Sequence, residues 1–249
     1  LPPPTEGANL PGTAPAGGHW ENDGTGWWYV CANGSDYLAS GWYTINGSDY
    51  QFGPAGYMMT GFLKRADGTW VYADSEGALV GGWVRDSTYG GPNWYYLDPA
   101  TGSMATGWAK DGNTRCYMDA SGAMKSSTWV REGAWYYLTG SGAMATGWFI
   151  ADGSWYYADG SGAMRTGWLN DSGTWYYLHP SGAMGIGWIQ EGSSWYYLNP
   201  NAGGAMATGW LQLDGAWYYF DPSSGVMATG SQRIGWRSYR FADSGQLMN

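Results

Sequence analysis

Apolar positions along this chain come as pairs of short runs that recur and do not lengthen. Over residues 147–198 one unit is written almost letter for letter, as GWFIADGSWYYADGSGAMRT, GWLNDSGTWYYLHPSGAMGI and GWIQEGSSWYYL. Trp148, Trp168 and Trp188 step by 20, and so do Trp155, Trp175 and Trp195, and Met164 and Met184. A fixed period of about 20 to 50 residues marks an array in which no unit buries its apolar face alone and stacked neighbours supply the core. Within a unit, the runs at 148–150 and 155–157 flank Ala151, Asp152, Gly153 and Ser154. Asp-Gly between two short aromatic runs predicts a β-hairpin, because both central residues of a type I′ turn need positive φ. Asp67-Gly68, Asp111-Gly112 and Asp214-Gly215 read the same way. Residues 159–166 then cross to the next hairpin, with Gly160 and Gly162 admitting backbone that a bulkier residue resists.

WYY-like strands begin at Trp27, Tyr50, Trp70, Trp94, Cys116, Trp135, Trp155, Trp175, Trp195, Trp217 and Tyr239. The predicted fold is therefore all-β: a β-hairpin solenoid of about eleven two-stranded hairpins without helix. An isolated hairpin is marginal in water, so each must lean on its neighbours through Trp, Tyr and Met. Residues 1–18, LPPPTEGANLPGTAPAGG, carry five prolines and no apolar periodicity. They read as an extended linker, leaving residues 19–249 to the array.

Composition sharpens this picture. Trp 19 and Tyr 21 against Phe 5 favour rings with a polar edge, suited to partly buried surfaces. A formal net charge of -9 argues against nucleic acid and anionic lipid, which need a basic stripe, and suits a cation. With no apolar run of 18 or more residues and no basic-then-apolar leader, neither membrane insertion nor a signal peptide is expected, as in a mature or excised piece. Cys31 and Cys116 fall about four hairpins apart and are expected to stay unpaired. His19 and His179 have no serine or cysteine placed to use them as a base, the carboxylates lie mostly in turns that need them, and metal-ligand spacing is absent. No catalysis and no cofactor are expected.

The pattern GWxxxxGxWYYLxxxGxMxTGW resembles the choline-binding, or cell-wall-binding, repeat of Gram-positive surface proteins and phage lysins. The match runs over residues 20–249 and is sharpest in the middle. Related glucan-binding and toxin repeats share the hairpin, but usually lack the first Trp of the WYY run, which is present at Trp135, Trp155, Trp175, Trp195 and Trp217. The resemblance implies a secreted, non-catalytic module on the bacterial cell wall that binds choline, or the phosphocholine of teichoic or lipoteichoic acid, between consecutive hairpins.

Strand alternation turns Trp155 and Tyr157 one way and Tyr156 the other, so each hairpin offers rings to both neighbours. A quaternary ammonium donates no hydrogen bond and is recognised by π faces, each worth about 0.5 to 2 kcal/mol. Three rings give roughly 3 to 5 kcal/mol, a dissociation constant near the millimolar range. The family pattern implies cages built from the GW tryptophan and WYY tryptophan of one hairpin, the first tyrosine of the next WYY run, and a methionine between. Carried over, that gives Trp148, Trp155 and Tyr176 with Met164, and Trp168, Trp175 and Tyr196 with Met184. Trp188, Trp195 and Tyr218 with Met206 make a third, and Trp129, Trp135 and Tyr156 with Met144 a fourth. A fifth uses Trp83, Trp94 and Tyr117 with Met104.

Other junctions depart from the pattern. Cys116 is read in the second-Trp position beside Trp108, Gln51 and Val71 in the tyrosine position for Trp20 and Trp42, and Phe62 with Trp70 and Tyr95 as intermediate. Arg240 stands where the last corner should receive a tyrosine, and reads either as a cationic plug against Trp210 and Trp217 or as an exposed arginine in an ordinary cap. Binding is thus expected to concentrate in the second half. The same rings also serve as the core of an array, which leaves two alternatives: a glucan-binding array, and a structural surface fibre that forms homo-oligomers.

Overall fold

The two runs of each repeat pair as antiparallel strands in a computed structural model that describes residues 12–88 and 91–248. The chain divides into two units. The first, running to Ser126 and including Gly140–Ala143, begins with β1 (Gly12–Thr13) and contains five hairpins. These are β2 (His19–Asn22) with β3 (Trp27–Val30), β4 (Gly41–Ile45) with β5 (Ser48–Phe52), β6 (Gly61–Lys64) with β7 (Trp70–Ala73), β8 (Gly82–Asp86) with β9 (Asn93–Leu97), and β10 (Gly107–Asp111) with β11 (Thr114–Met118). The second unit, Ser127–Thr139 and Met144 onward, contains six. They are β12 (Thr128–Glu132) with β13 (Ala134–Leu138), β14 (Gly147–Ala151) with β15 (Ser154–Ala158), β16 (Gly167–Asp171) with β17 (Thr174–Leu178), and β18 (Gly187–Glu191) with β19 (Ser194–Asn199) and the short β20 (Ala205–Met206). β21 (Gly209–Leu213) with β22 (Ala216–Phe220) and β23 (Gly230–Ile234) with β24 (Arg237–Phe241) complete it. The expected all-β hairpin array is present. Among the described residues the single helical turn is a 3-10 turn at Pro200–Ala202, in the longer connection after β19.

Hairpin register follows from the turns. Asp152 (φ 48°) with Gly153 (φ 77°), and Asp214 (φ 49°) with Gly215 (φ 83°), both enter the left-handed region, as the Asp-Gly signal requires. The other two Asp-Gly pairs behave differently. Asp111 is the last residue of β10, opposite Thr114, so the bend falls one residue later, at Gly112 (φ 56°). Asp67-Gly68 lies in a wider loop closed by the Arg65 N–H donating to the Thr69 carbonyl at 2.8 Å.

After each hairpin the chain returns along the strand it has just left. Asp159 nucleates this return, its carboxylate accepting the backbone N–H of Ser161 at 2.9 Å and of Ala163 at 3.3 Å. Met164 then bridges Ala158 and donates its N–H to the Trp135 carbonyl at 2.8 Å, tying one repeat to the one before. In the second unit every repeat buries the residue that follows WYY, and these side chains form a column within the core. Leu138, Leu178, Leu198 and Phe220 are each 0% exposed there. Leu178, Leu198 and Phe220 stand opposite Gly167, Gly187 and Gly209, and Leu138 opposite Thr128. Burying one such side chain is worth about 1.5 to 3 kcal/mol, so the column accumulates stability repeat by repeat.

Of the expected linker, residues 1–11 lie outside the described residues, whereas Gly12 and Thr13 pair in parallel with Tyr43 and Thr44 of β4. Cys31 and Cys116 are both free thiols.

Candidate functional site

The tryptophans that follow the turns are not core residues. Trp155 is 45% exposed, Trp175 41% and Trp195 38%, while the next side chains along β15, β17 and β19 sink inward. Each exposed indole forms a corner with the GW tryptophan of its own hairpin. The centroids of Trp148 and Trp155 lie 6.5 Å apart at 80°, of Trp168 and Trp175 6.4 Å apart at 81°, and of Trp188 and Trp195 6.3 Å apart at 82°. The third ring comes from the following hairpin, where strand alternation turns the first tyrosine of WYY backward. Tyr176 lies 4.8 Å from Trp148, Tyr196 4.7 Å from Trp168, Tyr218 5.1 Å from Trp188 and Tyr156 4.9 Å from Trp129. Rings at steep angles around one space present π faces from several sides, the arrangement a cation without hydrogen-bond donors requires.

Three of these corners enclose clefts of about 310, 320 and 360 Å3, at Trp148, Trp168 and Trp129 respectively. Their near-equal size follows from the repeated register. The methionine in each comes from one repeat later than the spacing suggests. Met184 lines the cleft of Trp148, Trp155 and Tyr176, Met206 that of Trp168, Trp175 and Tyr196, and Met164 that of Trp129, Trp135 and Tyr156. The reason is the return strand: the Met184 N–H donates to the Trp155 carbonyl at 2.7 Å, which pulls the segment after β17 beneath the preceding hairpin. Met227 is tied in the same way to Trp195 at 2.8 Å, so it, and not Met206, accompanies Trp188. Met144 sits against Gly162, and Met104 lies in the cleft of Phe62 and Trp70.

The family profile described as the choline-binding repeat matches residues 39–83, 88–129, 130–166, 165–207, 186–231 and 207–249. The chain belongs to the choline-binding repeat family. Among solved structures, it is similar to CbpJ from Streptococcus pneumoniae TIGR4, with 30% identity and a TM-score of 0.64 over 93% of this chain and 94% of that one. It is also similar to choline binding protein F from Streptococcus pneumoniae, solved in the presence of a peptidoglycan analogue, with 31% identity, a TM-score of 0.60 and coverage of 94% and 99%. The modular autolysin LytC from Streptococcus pneumoniae is 26% identical with a TM-score of 0.65, and this chain spans 53% of its length. No curated protein sequence matches.

Against the family pattern, three junctions are shifted by one residue from their reading in the sequence. In β11 it is Arg115, opposite Lys110, that takes the WYY tryptophan position, and its guanidinium lies 4.6 Å from the Trp108 ring centroid. Cys116 takes the first-tyrosine position and lines the Trp83 and Trp94 cleft with Met124, while Tyr117 pairs across the strands with Trp108. Loss of a ring there opens the cleft to about 570 Å3, and burial pushes the Cys116 thiol up. At the start of the array Tyr50, not Gln51, reaches Trp20 at 5.0 Å, and the Met58 N–H donates to the Trp27 carbonyl at 2.6 Å. At the end Tyr239, not Arg240, reaches Trp210 at 4.9 Å. Arg240 is exposed opposite Ser231, so it does not plug this corner. Trp210 and Trp217 keep the usual 6.4 Å, and Leu247 replaces methionine through an N–H bond to Trp217 at 2.7 Å. Val71 does occupy the tyrosine position for Trp42, and Phe62 does meet Tyr95, at 4.6 Å.

Carboxylates join the site where turns alone were expected to use them. Trp148 donates its indole N–H to Asp171 at 2.9 Å, Trp168 to Glu191 at 2.6 Å and Trp83 to Asp111 at 2.9 Å. The signal available in the sequence is an acid three residues after the GW tryptophan of the following repeat. Among the described residues no group of three or more His, Cys, Asp or Glu is placed to hold a metal ion.

Proposed function

We propose that the chain is a non-catalytic module that binds choline in the aromatic clefts between consecutive hairpins, one trimethylammonium head in each. The observation carrying this reading is the repeated corner of two tryptophans and one tyrosine, closed by methionine or leucine, at nearly constant distances along the array. Five such sets bring both tryptophans and the tyrosine together: those headed by Trp129, Trp148, Trp168, Trp188 and Trp210. The Trp83 cleft, with Cys116 for tyrosine, and the Phe62 cleft bind more weakly. Membership of the choline-binding repeat family supports the ligand class, and similarity to choline binding protein F, solved with a peptidoglycan analogue, supports a wall polymer as its carrier.

The natural ligand on this reading is phosphocholine on teichoic or lipoteichoic acid at the surface of a Gram-positive cell. Each millimolar site gains by on the order of 10² to 10⁴ in effective affinity once a second site on the same chain engages the same polymer. The module thus anchors a partner domain firmly, yet free choline competes it off. Retention on a resin bearing choline-like tertiary or quaternary amines, followed by elution with choline and not with dextran, tests the function. Elution by dextran would support a glucan-binding array instead.

A further inference from the structure

The position behind the GW indole divides the clefts into two kinds. Asp171, Glu191 and Asp111 are the last residues of the first strands of their hairpins, opposite Thr174, Ser194 and Thr114. Each accepts the indole N–H of the preceding repeat. Glu191 and Asp111 also line the clefts of Trp168 and Trp83 directly. At the same register, Ala151 stands behind Trp129, Leu213 behind Trp188 and Ile234 behind Trp210. Where phenylalanine replaces the indole, at Phe62, the corresponding Asp86 instead accepts the Tyr72 hydroxyl at 3.0 Å. The acid is therefore not required for folding at this position, since apolar residues fill it in otherwise similar hairpins.

We infer that Asp171 and Glu191 are specificity-determining residues that make their clefts select for cationic over neutral ligands of the same shape, whereas the clefts backed by Ala151, Leu213 and Ile234 select mainly for shape. This rests on the reading of the clefts as choline sites. Two effects act in the same direction. An anion accepting the indole N–H polarises the ring toward greater electron density on its face, which strengthens attraction to a cation. The carboxylate also remains a formal charge beside the cleft, within the few ångströms over which opposite charges act on one another. Among the described residues neither Asp171 nor Glu191 is in an ion pair, so no cation of the chain cancels that charge. Among the described residues the remaining Asp171 oxygen accepts only the Ser172 hydroxyl, at 3.3 Å.

The test compares the parent chain with the double variant Asp171→Asn/Glu191→Gln, whose amide oxygens still accept the indole N–H. Indole N–H resonances are followed by NMR during titration with choline and with its neutral carbon isostere 3,3-dimethylbutan-1-ol, at low salt and at about 1 M NaCl, where screening acts over roughly 3 Å. At low salt the variant should bind choline about fivefold more weakly at the Trp148 and Trp168 signals, the size expected of one nearby charge in water. The isostere should bind parent and variant alike, and the two proteins should converge for choline at high salt. Leu213→Glu should tighten choline at the Trp188 signal by a similar factor. Equal choline affinity of parent and double variant at low salt overturns the inference, as does an equal loss for the isostere, which would make the acids positional only. If the parent shows no saturable response to choline at any indole, the proposed function falls, and this inference with it.

Discussion

The backbone N–H of Met184 donates to the carbonyl of Trp155 at 2.7 Å, across the space between two hairpins. That bond decides which methionine closes which cleft, because it draws the return strand after β17 beneath Trp148 and Trp155. Met184→Ala should therefore weaken choline at the Trp148 cleft about threefold, having removed one apolar wall but none of the π faces. Met164→Ala should act on the Trp129 cleft and leave Trp148 unchanged. Titrations followed at assigned indole N–H signals check this, and a Met164 effect at Trp148 would contradict the register.

Truncating a ring should differ from removing its hydroxyl. Trp175→Ala should abolish the cleft shared with Trp168 and Tyr196. Its stability cost should be about 1 to 2 kcal/mol, below the range for a buried aromatic because Trp175 is 41% exposed. Tyr196→Phe should retain both binding and stability, since the cage uses the face and not the hydroxyl. Choline titration with thermal unfolding checks both variants, and equal loss in the Phe variant would contradict recognition by faces.

The period in the sequence was enough to read the hairpins, their number and most of the ring triads. The intact repeats between Trp129 and Tyr218 carry their own register, and there the Trp and Tyr partners assemble as the pattern implies. Register was lost where the WYY marker degenerates. SDYQF, TRCYM and RSYRF each offer a single tyrosine and no tryptophan to mark the register, and only cross-strand pairing fixes Tyr50 opposite Tyr43, Arg115 opposite Lys110 and Tyr239 opposite Gln232. The methionines shift by one repeat for a different reason. Sequence proximity put Met164 with Trp148, whereas a hydrogen bond between repeats commits it to Trp135. Asp111, behind the Trp83 indole, reads in the sequence as a turn residue, since Asp111-Gly112 imitates a turn signal that the backbone does not use.

The two terminal residues of the last corner should separate cleanly. Tyr239→Ala should remove the Trp210 cleft, because Tyr239 is its third ring, and Arg240→Ala should leave choline binding unchanged. Counting bound choline in each variant by calorimetry checks the pair. Equal losses would contradict the assigned register of β24.

Acid should loosen the crossovers. Hydrogen bonds from the Ser223 hydroxyl, the Ser224 backbone and the Ser224 hydroxyl hold the Asp221 carboxyl down at about 2. At Asp119 partial burial pushes upward, but hydrogen bonds from Ser121, Lys125 and the backbone outweigh it and bring the group to about 2. Both folded values lie below the unfolded carboxylate value of about 3.9, so this contribution is full above that pH and is lost as pH falls toward 2. The unfolding temperature should be nearly level from about pH 7 to 5 and drop below about pH 4. Asp221→Asn should be less stable at neutral pH and flatten the acid limb, and an unchanged limb would contradict the assignment.

The most direct measurement is a calorimetric titration of the whole chain with choline, counting sites. About five saturable sites with dissociation constants near the millimolar range are predicted, one for each complete triad, and fewer in any variant that removes a GW or WYY tryptophan of those triads. No saturable binding by about 50 mM choline, far above the affinity expected of three π faces, would contradict it.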